Sequence, residues 1–203
     1  MKLRYSSASP FVRKVLIMAQ ETGLLSRIDV LPADPFGDDL SDIEQHNPLG
    51  KVPALITEQD GAFVNSYSAC EYLDSLHDGP KFLPANGPER WKVQQLHGLA
   101  DGILDAAVGQ VYEVVRRPAQ YSYPQNSARL TNKINKALDY LESQVADFDA
   151  ALNLGSITLV CALDYLDFRL SEAIDWRANR PSLEAWHDRL SDRPSFKQTL
   201  PHL

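Results

Sequence analysis

Ser9 stands directly before Pro10 and Phe11, at the point where a short strand-like run gives way to an apolar helical pattern. A serine in that place does one of two things: its oxygen caps the first turn of the helix, or its hydroxyl holds a reactive atom. Asp101 and Asp105, one helical turn apart, have the spacing of a carboxylate pair for acid–base work. They lie opposite an apolar stripe, however, and read as a solvated or interface face. Cys70 and Cys161 sit inside apolar helical patterns and form no CxxC pair, so both read as buried, inert thiols. The histidines at 46, 77, 97, 187 and 202 are scattered, none at metal-ligand spacing with a second ligand, and no metal is expected.

The elements that must position Ser9 follow from local patterns. Residues 2–6 read as a strand, Ser9 as an N-cap and Pro10 as the first helical position, where a missing N–H does no harm. The helix is apolar at Phe11, Val12, Val15, Leu16 and Ala19, and Gly23 supplies a left-handed stop. Residues 27–33 read as a second strand, and a polar loop runs from Asp34 to Asn47. Next, PALIT and AFV read as strands joined at Gln59-Asp60-Gly61, a hairpin signal, and Asn65 or Ser66 caps a helix ending near His77. The order is β-α-β and then β-β-α.

Prolines and glycines in residues 79–88 mark a linker. Beyond it only helices are expected. Leu96, Leu99, Ala100, Ile103, Leu104, Ala107, Val108, Val111, Tyr112 and Val115 form one stripe, and Leu130, Ile134, Ala137, Leu138, Leu141 and Val145 form another. The segment LNLGSITLVCALDYLDFRL is apolar nearly all round and belongs at the centre of a bundle; a last helix follows Pro181. The fold class is therefore α/β plus all-α: an α/β domain at 1–78, the linker at 79–88, and an all-helical domain at 89–203. A site would sit most naturally where the two domains meet.

Bulk properties narrow the function. A net charge of −7, with no dense Lys/Arg cluster, disfavours nucleic acid as a partner. There is no apolar run long enough for a membrane span or a secretory signal, so we expect a soluble, cytoplasmic protein with no membrane partner.

Five stretches, in order and spacing, carry a resemblance over almost the whole chain: SPFVRKV at 9–15, NPLGKVPAL at 47–55, NSYSACEYL at 65–73, ADGILDAA at 100–107 and WHDRLSDRPSF at 186–196. The chain resembles the glutathione transferase family, in particular bacterial members with a Ser-Pro-Phe opening. NPLGKVP is the most specific of these motifs. The resemblance implies a thioredoxin-like N-terminal domain that binds glutathione, a helical C-terminal domain that walls the electrophile site, and a homodimer. It implies glutathione as co-substrate with no metal, and a cis bond between Val52 and Pro53.

The same resemblance implies residue roles. The Ser9 hydroxyl would donate to the sulfur of glutathione and stabilise its thiolate as the catalytic residue. Val52 would pair with the backbone of the tripeptide beside Pro53. Lys51 would reach the glycyl carboxylate. Ser66 would cap its helix while its hydroxyl and N–H receive the γ-glutamyl carboxylate. Asn65 stands where the family commonly has Glu or Asp, and a neutral amide binds the ligand's ammonium less strongly. Asn153 and Ser156 form a weaker version of the Ser/Thr-to-Asp reciprocal cap that the family favours at the buried helix. Phe11, Phe36, Tyr112 and Tyr165 are candidates for the electrophile pocket, with core packing as the alternative for each. Arg13 and Lys14 read as surface or interdomain residues. The expected function is transfer of glutathione to a small hydrophobic electrophile; the alternatives are glutathione-dependent isomerisation or peroxide reduction, or a binding protein of the same fold without catalysis.

Overall fold

The computed structural model describes residues 1–37, 40–148 and 151–202. They form two compact units: Met1–Arg90 together with the residues from Pro194 on, and Trp91–Arg193. The sequence reading assigned everything after residue 88 to the helical domain. The final segment instead groups with the first unit, because the buried Arg13 donates from Nη2 to Phe196 O at 3.2 Å and from Nε to Thr199 Oγ1 at 3.3 Å. No local pattern encodes such a tertiary tie.

The first unit is built on a four-stranded sheet in the order β2-β1-β3-β4. β1 (Lys2–Tyr5) pairs in parallel with β2 (Asp29–Pro32) through the crossover helix α1 (Pro10–Glu21). β3 (Ala54–Ile56) is antiparallel to β1, with Leu3 opposite Leu55, and β4 (Ala62–Phe63) is antiparallel to β3. Gly61, at φ +77°, turns the hairpin. Within the loop expected from Asp34 to Asn47, a single helical turn forms, α2 (Ser41–Glu44). Arg4, buried in β1, holds it by donating to the backbone and carboxylate of Asp42. α3 (Ser66–Ser75) follows β4 and packs on α1, β3 and β4. Leu3, Val12, Val15, Ile17, Met18, Leu55, Cys70 and Leu73 close the core.

The expected linker is tied to α3. Asp74 is buried, and its carboxylate accepts from Phe82 N–H at 3.0 Å and Leu83 N–H at 2.9 Å, while Lys81 donates to Asp74 O at 2.7 Å. Phe82 and Leu83 are buried as a result.

The second unit takes in α4 (Gly87–Val111) from Trp91 on, with α5 (Pro124–Gln144), α6 (Leu154–Leu170) and α7 (Pro181–Ser191); a short α8 (Pro194–Lys197) belongs to the first unit. Every residue from Asn153 to Leu166 is buried, as the all-round apolar pattern requires. Both halves of the reciprocal cap form: Asn153 Oδ1 accepts from Ser156 N–H and Ser156 Oγ from Asn153 N–H, each at 2.9 Å. A Cβ at Gly155 would lie 2.8 Å from Val93 O, so only glycine lets α6 approach the backbone of α4 this closely. The α4 stripe departs from expectation at its end. The chain widens into a π-helical turn, Tyr112–Arg116, and Tyr112 and Val115 are exposed rather than continuing the buried face.

Replacing Asp74 with Ala leaves two buried N–H groups without an acceptor, and we expect a loss of about 3 kcal/mol in urea-unfolding stability.

Candidate functional site

Topology gathers the candidate residues at one end of the sheet. Arg4 in β1 faces Ala54 in the antiparallel β3, so the end of β1, which leads to Ser9, adjoins the start of β3, which follows Val52–Pro53. β4 reverses again, with Phe63 opposite Leu55, and delivers Asn65 and Ser66 to that same end. β2 runs parallel to β1 and ends there too, leading to Phe36.

Ser9 has extended backbone angles, φ −85° and ψ 118°, as an N-cap requires. Its Oγ accepts from Val12 N–H at 3.3 Å, its carbonyl accepts from Arg13 N–H at 3.1 Å, and its own N–H donates to Ser6 O at 3.0 Å. In the cap the serine oxygen acts only as an acceptor, so the hydroxyl proton remains available to a ligand. No acidic residue stands in the first turn of α1 or of α3, and both positive helix ends are therefore available to anions. Ser9 lines a cavity of about 50 Å³, and Tyr5, Ser6 and Ser7 line both this cavity and an open hollow of about 360 Å³ bounded by Pro32, Ala33 and Asp34.

The Val52–Pro53 peptide is cis. Among the described residues no hydrogen bond takes up the N–H or C=O of Val52, which leaves both to an extended chain lying alongside. The turn before it is organised by Asn47, which the sequence reading quoted only as part of a motif. Asn47 is fully buried; its Nδ2 donates to Lys51 O at 2.7 Å and its Oδ1 accepts from Leu49 N–H at 3.0 Å. Gly50 completes the turn at φ +61°. The signal for this role was the Asn-Pro dipeptide three residues before a glycine, a turn-forming combination. The Lys51 side chain is exposed.

At α3 the sequence patterns left Asn65 or Ser66 as the cap and the resemblance placed it at Ser66; that placement is corrected, because Ser66 is the first helical residue and the cap is Asn65, whose Oδ1 accepts from Tyr67 N–H at 2.8 Å and Ser68 N–H at 3.4 Å. The reason is backbone geometry: Asn65 is extended, at φ −123° and ψ 135°, so its side chain reaches the first turn, whereas that of a residue already in the helix does not. Ser66 is buried, and among the described residues its hydroxyl and N–H are not used elsewhere in the chain.

The four aromatic candidates divide between the units. Phe11 is half-buried in α1, with Lys14 Nζ 5.7 Å from its ring, and Phe36 is exposed. In the second unit Tyr112 is exposed and Tyr165 buried; burial pushes the Tyr165 hydroxyl above the usual phenol range. Arg13 and Lys14, read as surface or interdomain residues, are both buried, Arg13 through its bonds to residues 196 and 199. Asp101 is half-buried and Asp105 exposed. Among the described residues there is no cluster of three or more potential metal ligands, and no helix is long and apolar enough to cross a membrane.

Models of the glutathione S-transferase N-terminal domain and C-terminal domain match residues 8–76 and 124–189. The chain is 37% identical to the uncharacterized GST-like protein YibF of Escherichia coli K12, over 99% of this chain and 98% of that protein. Two crystal structures of a glutathione transferase family member from Pseudomonas fluorescens Pf-5 superpose closely. The one with bound glutathione has a TM-score of 0.94 at 36% identity, over 100% of this chain and 99% of the other. The one with bound S-(propanoic acid)-glutathione has a TM-score of 0.91 at 35% identity, over 100% of both chains.

Asn47→Ala removes both bonds that close the turn before Val52. We expect a loss of about 2 kcal/mol in unfolding free energy, with limited proteolysis cutting first at residues 48–51.

Proposed function

The chain belongs to the glutathione S-transferase family, and from that premise we propose that it binds glutathione at the end of the sheet where Ser9, Val52 and Ser66 gather, and transfers the tripeptide's sulfur to a small electrophile. The observation that carries this reading is the Ser9 hydroxyl: it caps α1 through a lone pair and keeps its proton, beside a Val52 backbone left open to a peptide. The Pseudomonas relative with glutathione bound supports the ligand, and its complex with S-(propanoic acid)-glutathione supports a site with room for a substituent on sulfur.

In this reading the Val52 N–H and C=O pair with the cysteinyl backbone, the N–H and hydroxyl of Ser66 receive the γ-glutamyl carboxylate at the start of α3, and Lys51 reaches the glycyl carboxylate. Ser9 donates to the sulfur. A free thiol has a pKa near 8.5, roughly, so only a small fraction is thiolate at neutral pH. Lowering that value by about two requires roughly 2.7 kcal/mol. One hydrogen bond to a charged acceptor contributes about 1.5–3 kcal/mol, and the end of α1 about 0.3–1 kcal/mol. Together they suffice without a general base. We place the protein in the cytoplasm as a homodimer that needs no metal, in keeping with the family.

Asn65 favours a second reading, a glutathione-binding protein without catalysis, because the amide offers the ligand's ammonium no counter-charge. A thermal-shift titration with glutathione followed by a conjugation assay separates the two: binding without turnover selects the second reading.

For the first, Ser9→Ala should raise the pKa of the bound thiol by about one to two, read by thiolate absorbance. Its kcat/KM with an aryl halide at neutral pH should fall at least about tenfold, and equal rates would remove Ser9 from the mechanism. Asn65→Asp keeps the cap and adds a charge, so glutathione should bind about fivefold tighter by calorimetry.

A further inference from the structure

The cap of α3 engages both oxygens of Asn65. Oδ1 accepts from Tyr67 N–H at 2.8 Å and from Ser68 N–H at 3.4 Å. The carbonyl oxygen accepts from Ala69 N–H at 3.0 Å and from Ser68 Oγ at 2.9 Å. A carbonyl or amide oxygen has two lone pairs, so each of these atoms already has its full set of donors. The same partners fix the orientation of the amide, because turning it over would set its NH2 group against two backbone N–H donors. Nδ2 has no partner among the described residues, and it can only donate. Asn65 therefore offers a ligand's ammonium nothing, neither a charge nor a lone pair.

Ser66 has the same polarity. It is only 5% exposed, and among the described residues its hydroxyl and N–H have no partner. Buried donors left unmade are unfavourable, and an anion at this point satisfies both. No acidic residue stands in the first turn of α3, so the positive end of the helix has no counter-charge of its own. The serine oxygen can also accept, but at the positive end of a helix it is a poor partner for a cation. A γ-glutamyl group carries a carboxylate and an ammonium on one carbon. Here the donors match the first, and the acceptor that would match the second is already taken.

We propose that this end of the site reads the carboxylate alone, so that the thiol it takes is any cysteinylglycine acylated by a chain ending in a carboxylate, with or without an amino group beside that carboxylate. The inference rests on the glutathione reading above and deepens it by naming the class of thiol. Asn65 is the residue that sets this breadth, through the atom it commits to the cap. An ammonium that finds no acceptor stays in water, where it neither gains nor loses on binding. Aspartate in the same place behaves differently: a carboxylate has two oxygens, so one keeps the cap while the other is left to pair with the ammonium.

The test uses two analogues of glutathione that each lack one group. Glutaryl-cysteinylglycine keeps the carboxylate without the ammonium, and 4-aminobutyryl-cysteinylglycine keeps the ammonium without the carboxylate. Both are titrated calorimetrically, beside glutathione, into the full chain and into Asn65→Asp. We expect the wild type to bind the glutaryl analogue within about twofold of glutathione and the 4-aminobutyryl analogue about thirtyfold more weakly. Asn65→Asp should prefer glutathione to the glutaryl analogue about fivefold. Each ratio is read within one protein, so a general loss of stability does not mimic it. A wild-type preference for glutathione over the glutaryl analogue as large as that of Asn65→Asp overturns the proposal. Equal wild-type affinity for the two analogues overturns it as well, because the carboxylate is then not read. A wild type that binds none of the three ligands overturns the glutathione reading itself, an outcome distinct from binding without preference.

Discussion

A serine oxygen at the start of α1 accepts a hydrogen bond from the backbone of Val12, and that bond decides where the serine's proton can go. With one lone pair engaged by the helix, the hydroxyl is held at the positive end of α1 with its donor directed elsewhere. A freely rotating serine would divide its time between water and backbone acceptors. Here the fold fixes the oxygen, the helix supplies favourable potential for an anion, and neither contribution needs a titratable side chain. The chemistry proposed for the site depends on this arrangement, and the remaining structure can be understood as what keeps the other binding groups in register with it.

That register is set by strand direction and a few buried polar side chains. β1, β3 and β4 alternate in direction, so the loops that carry Ser9, Val52 and Asn65 emerge together although they are far apart in sequence. Between the strands, irregular backbone is held by side chains whose hydrogen bonds are satisfied: Asn47 fixes the turn before Val52, Arg4 fixes α2, and Asp74 fixes the segment after α3. Each is a polar group taken out of water and matched by partners, an arrangement that specifies one loop geometry, because alternatives would leave it unpaired.

Much of this was legible in the sequence because it is local. Pro10 after Ser9, Gly23 after the first helix and Asp60-Gly61 between apolar runs mark chain reversals by the φ angles they allow, and the continuous apolar character of residues 154–166 leaves only the centre of a bundle as a place for them. What was missed depends on contacts across the chain or on a single residue of phase. Ser66 and Asn65 are adjacent and both are capping types, so only backbone angles decide between them. The end of the α4 stripe was hidden because a π-helical turn at 112–116 shifts the phase of the side chains without any change in composition. The return of residues 194–202 to the first unit rests on Arg13, a cation that looks solvent-facing until its partners are known.

The two cysteines carry a consequence for the chemistry proposed at Ser9. Both Cys70 and Cys161 are buried and neither forms a disulfide. Exchange between thiols and disulfides requires a sulfur that an incoming thiolate can reach. On the glutathione reading proposed above, a chain that activates an external thiol while enclosing its own sulfurs in packed helices would be shielded from forming a mixed disulfide with its ligand. In that reading, oxidation of the surrounding thiol pool would fall on the free tripeptide before it reached the buried Cys70 and Cys161.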